Sequence, residues 1–437
     1  MQESLWHGTA EQPKFRALVE DTKTDVLVIG GGMAGILCAY FLKQAGVDCL
    51  LIEKGKIGGG ISGNTTAKIT SQHGLIYHKL EKAFSGEFAK GYWLANEAAL
   101  SHFIMLSRQL PCDMELKDNF IYACRDRKMM DQECAALQRL GIPWIFTEHP
   151  PLPMDTVGAV GFFQQAQFHP LKFLYQLAAP LPILEHTQAL SFEGHTVVTN
   201  RGKIKAEKII VATHFPIINK HGAYFLKMYQ DRSYVLGIRG AQNVQGMYLA
   251  AESDGYSFRT AGEYLLLGGG SHRTGKQGTL WHPLEDFAAL HYPASTIEYR
   301  WAAQDCITLD DVPYIGPYSQ RTENLYVATG FNKWGMTGSM VSAMILSDLV
   351  QGKENPYAWI FDPGRTMLRP RLLSNMAEST VNLLRPTTPR CPHLGCALRW
   401  NAWEHSWDCP CHGSRFAENG RLLDAPANGN MKHRRSE

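Results

Sequence analysis

The sequence predicts an α/β fold that combines a parallel sheet, a mostly antiparallel sheet and a small C-terminal module. Three observations predict it: a strand, a glycine turn, a helix and a strand in succession over residues 24–53, alternating stretches broken by glycine over 216–302, and four cysteines within 391–411. A chain of 437 residues is longer than one hydrophobic core usually serves. We therefore expect two or three domains.

Composition excludes several classes of function. Lysine plus arginine number 43 against 41 aspartate plus glutamate, so no strong field directs the chain to nucleic acid and we expect no such partner. The N-terminus lacks a basic segment followed by an apolar one, which predicts a cytoplasmic protein. The uncharged stretch 26–42 contains four glycines and is shorter than the roughly 20 residues of a spanning helix, so we expect no membrane span.

The first unit is a strand, a helix and a second strand. An apolar, β-branched run covers Thr24–Ile29, apolar residues recur at helical spacing over Met33–Gln44, and a second apolar run covers Val47–Ile52. Strand and helix in this order are the frame in which a glycine motif binds phosphate groups.

The glycines of this turn form a dinucleotide motif. Gly30 allows a tight turn, Gly32 lets the backbone approach a pyrophosphate, and Gly35 lets the helix pack on the strand. Glu53 follows Gly32 by 21 residues, where a carboxylate can accept hydrogen bonds from ribose hydroxyls. The loop 58–66, rich in glycine, serine and threonine, offers further donors to a second phosphate or a ring edge. Simple NAD domains do not usually have such a loop.

Two later segments point to the same cofactor. Residues 203–215 read as a hairpin that ends in an apolar strand, and Leu325–Thr329 reads as another strand. A glycine turn over 330–336 then leads into a helix predicted from about Thr337 to Val350. The N-terminus of that helix presents positive potential to an anion such as a reduced flavin ring.

Together these motifs carry a resemblance. The glycine motif with Glu53, the "SGNTTA" loop, the "IIVATH" strand and the "DDVPYIG" and "NLYVATGFNKWGMT" segments resemble the FAD-dependent oxidoreductases of the D-amino-acid oxidase and glycine oxidase type over about residues 4–365. The closer likeness is to γ-glutamylputrescine oxidoreductase and to flavoproteins with a C-terminal Rieske domain.

The resemblance implies a Rossmann-like FAD-binding domain with an inserted, mostly antiparallel substrate domain. In that family an amine or amino acid gives hydride to the flavin. The implied division is an N-terminal arm 1–23, an FAD-binding domain 24–92, 155–215 and 303–355, a helical segment 93–154, a substrate domain 216–302 and a linker 356–390.

The resemblance also implies which residues bind FAD. Glycines and Glu53 would hold the adenosine diphosphate half, Ala189 would lie near the adenine, and the late glycine turn would line the ribityl chain and the ring. The full set is Gly30, Gly32, Met33, Ala34, Gly35, Glu53, Lys54, Ser62, Thr65, Thr66, Ala67, Ala189, Thr213, Gly316, Gly330, Phe331, Asn332, Trp334, Gly335, Met336 and Thr337.

Some relatives attach FAD covalently through a cysteine or a histidine. The segment "ATGFNKWGMT" holds no cysteine, and Ala67 stands where the histidine-linked group has its histidine. We therefore expect non-covalent FAD.

Two residues are candidates for the chemistry. His73 lies near the ring by sequence. Arg259, ahead of Arg239 and Arg273, is the candidate anchor for a substrate carboxylate, because a guanidinium group matches two oxygens.

The C-terminal cysteines and histidines predict a metal centre. Cys391 and His393 are followed after fifteen residues by Cys409 and His412, the Rieske arrangement in which two cysteines hold one iron and two histidines hold the other. A zinc site is the alternative, although zinc motifs commonly pair like with like. Cys396 and Cys411 resemble the disulfide that joins the ligand loops of Rieske proteins. We therefore expect a small β-rich [2Fe-2S] module over 391–431.

Two departures from the Rieske pattern concern this module. Phe416 stands where high-potential members have a tyrosine that bonds toward a ligand sulfur, which predicts a lower potential. Ahead of Cys391, the sequence offers almost none of the usual scaffold strands. We expect the module to depend on its cluster, its disulfide and docking to the flavin domain, with 364–386 as a linker containing one helix.

The expected function is a dehydrogenase that oxidises an amine or amino acid. FAD would take two electrons, and the cluster would pass them singly to an external acceptor protein or cofactor. One alternative is an electron-transfer protein without an amine substrate, and another is a flavin amine oxidase whose Rieske tail has degenerated.

Overall fold

The computed structural model describes residues 3–218, 221–276, 278, 280–386 and 389–431. The first two residues of the predicted arm and residues 387–388 of the linker therefore lie outside the described residues. Among the described residues, no helix combines the length and apolar character that crossing a membrane requires.

Helices and strands alternate along most of the chain. The helices are α1 Leu5–Thr9, α2 Met33–Gln44, α3 Tyr77–Ala83, α4 Gly86–Ser107, α5 Arg127–Leu140, α6 Pro170–Ala178, α7 Tyr224–Lys227, α8 His282–His291, α9 Gly335–Val350, α10 Ala358–Phe361 and α11 Pro370–Leu384. The strands are β1 Thr22–Ile29, β2 Cys49–Ile52, β3 Lys68–Ile69, β4 Glu115–Ala123, β5 Ile145–Thr147, β6 Gly158–Gln167, β7 Ile183–Leu184, β8 Ala189–Glu193, β9 Thr196–Thr199, β10 Gly202–Val211, β11 Met228–Arg239, β12 Met247–Ala250, β13 Ser257–Ala261, β14 Tyr264–Arg273, β15 Thr296–Thr308, β16 Tyr314–Pro317, β17 Leu325–Thr329, β18 Arg399–Asn401, β19 Ser406–Asp408, β20 Arg415–Ala417 and β21 Leu422–Asp424.

The first sheet is the predicted parallel sheet. Its strands lie in the order β16, β17, β10, β1, β2 and β7, with the β8–β9 hairpin against β10. Strand β1 is parallel to both β2 and β10, and β17 is parallel to β10. Helices α2 and α9 pack in the core beside it, and residues of α2 such as Ile36 and Leu37 are fully buried. An uninterrupted apolar helix and β-branched strands are what a sheet covered on both faces requires.

The second sheet draws on more of the chain than the predicted substrate domain. Its order is β15, β11, β14, β13, β12, β4, β6 and β3, with β5 paired to β6. The pairings are antiparallel except for that of β12 with β4. Strand β6 thus belongs here, although the prediction placed 155–215 in the FAD-binding domain, and β15 crosses the predicted boundary at 302. The segment 93–154, expected to be helical, also contributes β4 and β5 to this sheet.

The C-terminal module is a four-stranded meander, β18–β19–β20–β21. Its strands have three residues each, and its core includes all four cysteines of the module. Helix α11 packs against it, since Asn382 accepts a bond from Ala397 N at 3.0 Å through its carbonyl oxygen and from Arg399 Nη2 at 3.2 Å through its side chain. The expected helix within 364–386 is therefore present and contacts the module.

Candidate flavin and iron-sulfur sites

The glycine turn after β1 packs closely against neighbouring backbone at Gly30 and Gly35 but leaves space beside Gly32. A Cβ atom at Gly35 would lie 1.9 Å from Gly30 O, and one at Gly30, whose φ is +116°, would lie 2.5 Å from Ala212 O. A Cβ atom at Gly32, in contrast, would have only Ser62 Oγ within 4 Å, at 3.2 Å, among the described residues beyond its chain neighbours. The turn therefore packs tightly against β10 but leaves Gly32 accessible, as the approach of a pyrophosphate to backbone requires.

Glu53 is held in place at the end of β2. Its Oε2 accepts a hydrogen bond from Gly31 N at 2.7 Å and its Oε1 accepts one from Gly55 N at 2.8 Å. Each carboxylate oxygen can accept a second bond, so the oriented carboxylate can still receive ribose hydroxyls. Both the glycine turn and Glu53 fit an adenosine diphosphate group.

The loop 63–67 is anchored through its carbonyl groups. Five consecutive carbonyl oxygens accept hydrogen bonds from buried or half-buried side chains of other segments. The donors are Ser4 Oγ to Gly63 O, Trp301 Nε1 to Asn64 O at 2.9 Å, Trp6 Nε1 to Thr65 O at 2.6 Å, and Arg259 Nη1 to both Thr66 O and Ala67 O at 2.7 Å. Two of these donors come from the N-terminal arm, which thereby becomes part of the site.

Arg259 lies in a different environment from the one that the sequence predicted. Its side chain is 2% exposed, and its Nη1 group is bonded to two loop carbonyls. Burial lowers the pKa of Arg259 to about 9, yet the group stays protonated at neutral pH. These contacts make Arg259 a support of the loop, and they leave the predicted role of carboxylate anchor without structural support.

His73 is buried and its ring nitrogens are both bonded within the protein. Nδ1 lies 2.7 Å from Tyr92 Oη, and Nε2 lies 2.8 Å from Thr70 O and 3.0 Å from Thr337 Oγ1. A carbonyl only accepts, so Nε2 carries the proton and Nδ1 accepts from the tyrosine. Burial lowers the pKa of His73 to about 3. His73 is thus neutral and links the segment at Thr70 to helices α4 and α9. The expectation that it acts directly in the chemistry is not supported.

The late glycine turn forms a compact loop before α9, which begins two residues earlier than predicted. Asn332 and Lys333 have φ angles of 51° and 72°, and Asn332 Oδ1 accepts a bond from Thr308 N at 2.7 Å. Trp334 stacks on His73, with ring centroids 4.8 Å apart. This loop and His73 are therefore brought together.

Other residues of the predicted FAD set contact different parts of the fold. Thr213 lies against Gly30, whose Cβ position would be 3.3 Å from Thr213 Cα. Ala189 begins β8 and is buried, whereas Gly316 lies in β16 against Pro363. The role of each toward FAD stays a prediction.

The four predicted cluster ligands converge in the C-terminal module. The thiols of Cys391 and Cys409 are hydrogen-bonded to each other, which lowers the pKa of Cys391 and raises that of Cys409. The rings of His393 and His412 lie 5.0 Å apart. Burial lowers the pKa of His393 to about 4 and that of His412 to about 3, so both rings are in the neutral form that binds metal.

The remaining two cysteines form the expected disulfide, Cys396–Cys411. The Sγ atoms of Cys396, Cys409 and Cys411 lie within 4.8 Å of one another, but the disulfide removes two of them as ligands. Two thiols and two neutral imidazoles are therefore the available donors. Nδ1 of His412 is buried and, among the described residues, has no hydrogen-bond partner. This donor set fits a Rieske cluster.

Comparison with known proteins agrees with both sites. Residues 25–349 match the family model of the FAD-dependent oxidoreductases (DAO), and residues 380–434 match that of the Rieske [2Fe-2S] domain. The chain belongs to the FAD-dependent oxidoreductase family. It carries a Rieske [2Fe-2S] domain in addition.

Relatives share one or both parts of this oxidoreductase. It is 36% identical to YhfW of Bacillus subtilis, whose name describes a Rieske 2Fe-2S iron-sulfur protein, over 97% of this chain and 96% of that protein. It is 23% identical to γ-glutamylputrescine oxidoreductase of Escherichia coli over 77% of this chain and 86% of that protein. Glycine oxidase from Geobacillus kaustophilus has the same fold, with a TM-score of 0.66 and 20% identity over 79% of this chain and 99% of that chain.

The Rieske module of this oxidoreductase packs directly on the rest of the protein. The His393 ring lies 6.2 Å from that of Phe215, which follows β10, and the His412 ring lies 6.1 Å from that of Phe225 in α7. Sequence reasoning missed both phenylalanines, because neither belongs to a motif. The sequence shows only that each is a large apolar residue close to a strand of the flavin or substrate sheet, which does not predict a contact with the cluster ligands.

Proposed function

We propose that this oxidoreductase is a dehydrogenase for an amine or amino acid, and that it passes the electrons through its own Rieske cluster to an external acceptor. Cys391, His393, Cys409 and His412 would be the cluster ligands. FAD supplies the hydride chemistry when bound, and a histidine-ligated cluster carries one electron at a time.

The observation that carries the proposal is the packing of both ligand histidines on aromatic residues of the flavoprotein body. Phe215 is fully buried, and it extends from the same strand end as Thr213, which contacts Gly30 of the dinucleotide turn. A one-electron centre attached to an enzyme for two-electron oxidation is redundant for an oxidase that reacts with oxygen. It is useful for a dehydrogenase with an acceptor.

The test uses the full-length protein under anaerobic conditions with a panel of amines and amino acids. A substrate should bleach the flavin absorption and produce the EPR signal of a reduced, histidine-ligated [2Fe-2S] cluster in the same sample. If a substrate bleaches the flavin but dithionite itself produces no such signal, the tail is degenerate and the protein is a flavin amine oxidase.

A second candidate is an electron-transfer protein without an amine substrate, and the position of Arg259 favours it. The Nη1 group of Arg259, the first-ranked anchor for an amino-acid carboxylate, is bonded to loop carbonyls instead. This candidate predicts that no compound of the panel bleaches the flavin, while dithionite still reduces both centres.

A further inference from the structure

The second ligand loop of the cluster turns its carbonyl groups toward the substrate sheet. Four consecutive carbonyl oxygens, those of residues 410–413, accept hydrogen bonds from side chains of that sheet. The bonds are Arg273 Nε to Pro410 O at 3.0 Å, Arg273 Nη2 to Cys411 O at 2.8 Å, Gln230 Nε2 to His412 O at 2.8 Å and Gln304 Nε2 to Gly413 O at 2.9 Å.

The two glutamines are themselves fixed in place. Gln230 is 1% exposed and Gln304 is 2% exposed. Gln304 Nε2 also donates to Gln230 Oε1 at 2.6 Å, and Gln304 Oε1 accepts from Thr274 Oγ1 at 3.0 Å. Gln230 Nε2 also donates to Ala425 O of the module at 2.9 Å. Contacts with both the sheet and the module thus orient the glutamine amides.

Arg273 is fixed in the same way. Its Nη2 donates to Asn375 Oδ1 of α11 at 2.7 Å, and its guanidinium group lies 4.8 Å from the ring centre of Tyr229. Because Arg273 bonds two successive carbonyls and α11 at once, it joins the sheet, the linker helix and the ligand loop.

Among the described residues, none of the four strands of the module bonds to these carbonyl groups. Within it, the loop makes the bonds Gly413 N to Cys409 O at 2.9 Å and Cys409 N to Ser414 O at 2.8 Å, which leave the carbonyls of 410–413 pointing outward. Buried carbonyls without partners are strongly disfavoured. Side chains of another domain satisfy them instead.

We propose that Gln230, Gln304 and Arg273 are positioning residues for the iron-sulfur cluster, and that the substrate sheet supplies the part of the scaffold that the short module lacks. They act by holding Cys409 and His412 in ligating position. Arg273 in addition places a positive charge beside the loop, which favours the reduced, more negative cluster.

The test compares full-length variants that need no substrate, so its outcome does not depend on the proposed function. In Gln304→Leu and Gln230→Leu, the molar ratio of iron to FAD should fall to half of the wild-type value or less. The remaining cluster should show shifted EPR g-values after dithionite reduction. Arg273→Met should lower the midpoint potential of the cluster. FAD content should be unchanged in all three.

Gln188→Leu is the matched control, because Gln188 Nε2 also donates to the module, at Asn428 O, but from an exposed position away from the ligand loop. Should the leucine variants fail to fold, Arg273→Lys decides, because lysine keeps the charge but lacks the fork that reaches two carbonyls. Its g-values should shift. The proposal is overturned if the leucine variants at Gln230 and Gln304, or Arg273→Lys, have the same iron content and g-values as Gln188→Leu and the wild type.

Discussion

The dinucleotide turn and the Rieske module of this oxidoreductase are built in opposite ways. The turn is shaped by close backbone packing within a large core, as the contact of Gly35 with Gly30 shows. The Rieske module has three-residue strands and a core in which four of the buried residues are cysteines. A local motif is enough for the dinucleotide turn, whereas the module depends on covalent links, metal binding and side chains from elsewhere.

The largest expected effect comes from removing a cluster ligand. Cys409→Ser should abolish the cluster and unfold the module, because binding of a structural metal group is linked to folding and a piece of about 40 residues has too little core of its own. The flavin region should keep FAD. EPR after dithionite reduction, FAD content and limited proteolysis would measure this.

Cys134→Ser is the control for that variant, since Cys134 lies in α5 outside the module. It should retain the EPR signal and the proteolysis pattern of the wild type. A cluster-free Cys409→Ser protein whose module resists protease as the wild type does would remove the proposed contrast between the two regions.

An intermediate effect is expected at Glu404, which joins the module to the substrate sheet. Its carboxylate, 9% exposed, accepts bonds from Arg232 Nε at 2.6 Å, Tyr234 Oη at 2.9 Å and Arg415 Nη2 at 2.8 Å. Glu404→Gln leaves Arg232 buried without its counter-charge, which should destabilise the docked module by about 3 kcal/mol. Thermal loss of the cluster absorption, with Glu418→Gln as an exposed control in the same module, measures the change.

The pH dependence of this effect has a defined sign. Interaction with Arg232 and Arg415 outweighs burial and lowers the pKa of Glu404 to about 2, from its ordinary value of 4.5. A lowered folded-state pKa means that the stabilisation is complete above about pH 4.5 and is lost as the pH falls toward 2. The difference between wild type and Glu404→Gln should therefore be constant at neutral pH and shrink below pH 4.5. A difference that grows on acidification would contradict this assignment.

The same contrast explains how far the sequence could predict the structure. Helix Met33–Gln44 and strand Leu325–Thr329 have the predicted bounds, because local apolar patterns and glycine turns determine them. The disulfide was also anticipated, because Cys396 and Cys411 resemble the disulfide that joins the ligand loops of Rieske proteins.

Long-range contacts explain what the sequence could not predict. Strand Gly158–Gln167 joins the second sheet through partners such as β4, a pairing that no local pattern encodes. Arg259 looked like a substrate anchor because its neighbours along the chain are aromatic and small, but its bonding partners come from residues 66–67. Gln230 and Gln304 have no motif at all, because side-chain bonds to distant carbonyls leave no period or spacing in the sequence.

The smallest expected effect concerns the potential of the cluster. Ser414 Oγ accepts a bond from Ala427 N at 3.0 Å and its hydroxyl is hydrogen-bonded to Cys391, whereas Phe416, fully buried in the module core, offers no donor. Phe416→Tyr adds a hydroxyl at the position where the resemblance to Rieske proteins places the tyrosine of high-potential members. A donor to a ligand sulfur stabilises the more negative, reduced cluster by about 1 kcal/mol, or roughly 40 mV for one electron.

A redox titration followed by EPR should therefore show a higher midpoint potential for Phe416→Tyr and a lower one for Ser414→Ala, with the flavin potential unchanged in both. An unchanged potential in Phe416→Tyr with a normal shift in Ser414→Ala would mean that the added hydroxyl does not reach a sulfur. The module would then differ from high-potential Rieske domains in the path of its backbone and not merely in one side chain. Contacts with the substrate sheet hold the second ligand loop in its path. That outcome would therefore mean that the substrate sheet affects the midpoint potential of the cluster as well as the stability of the module.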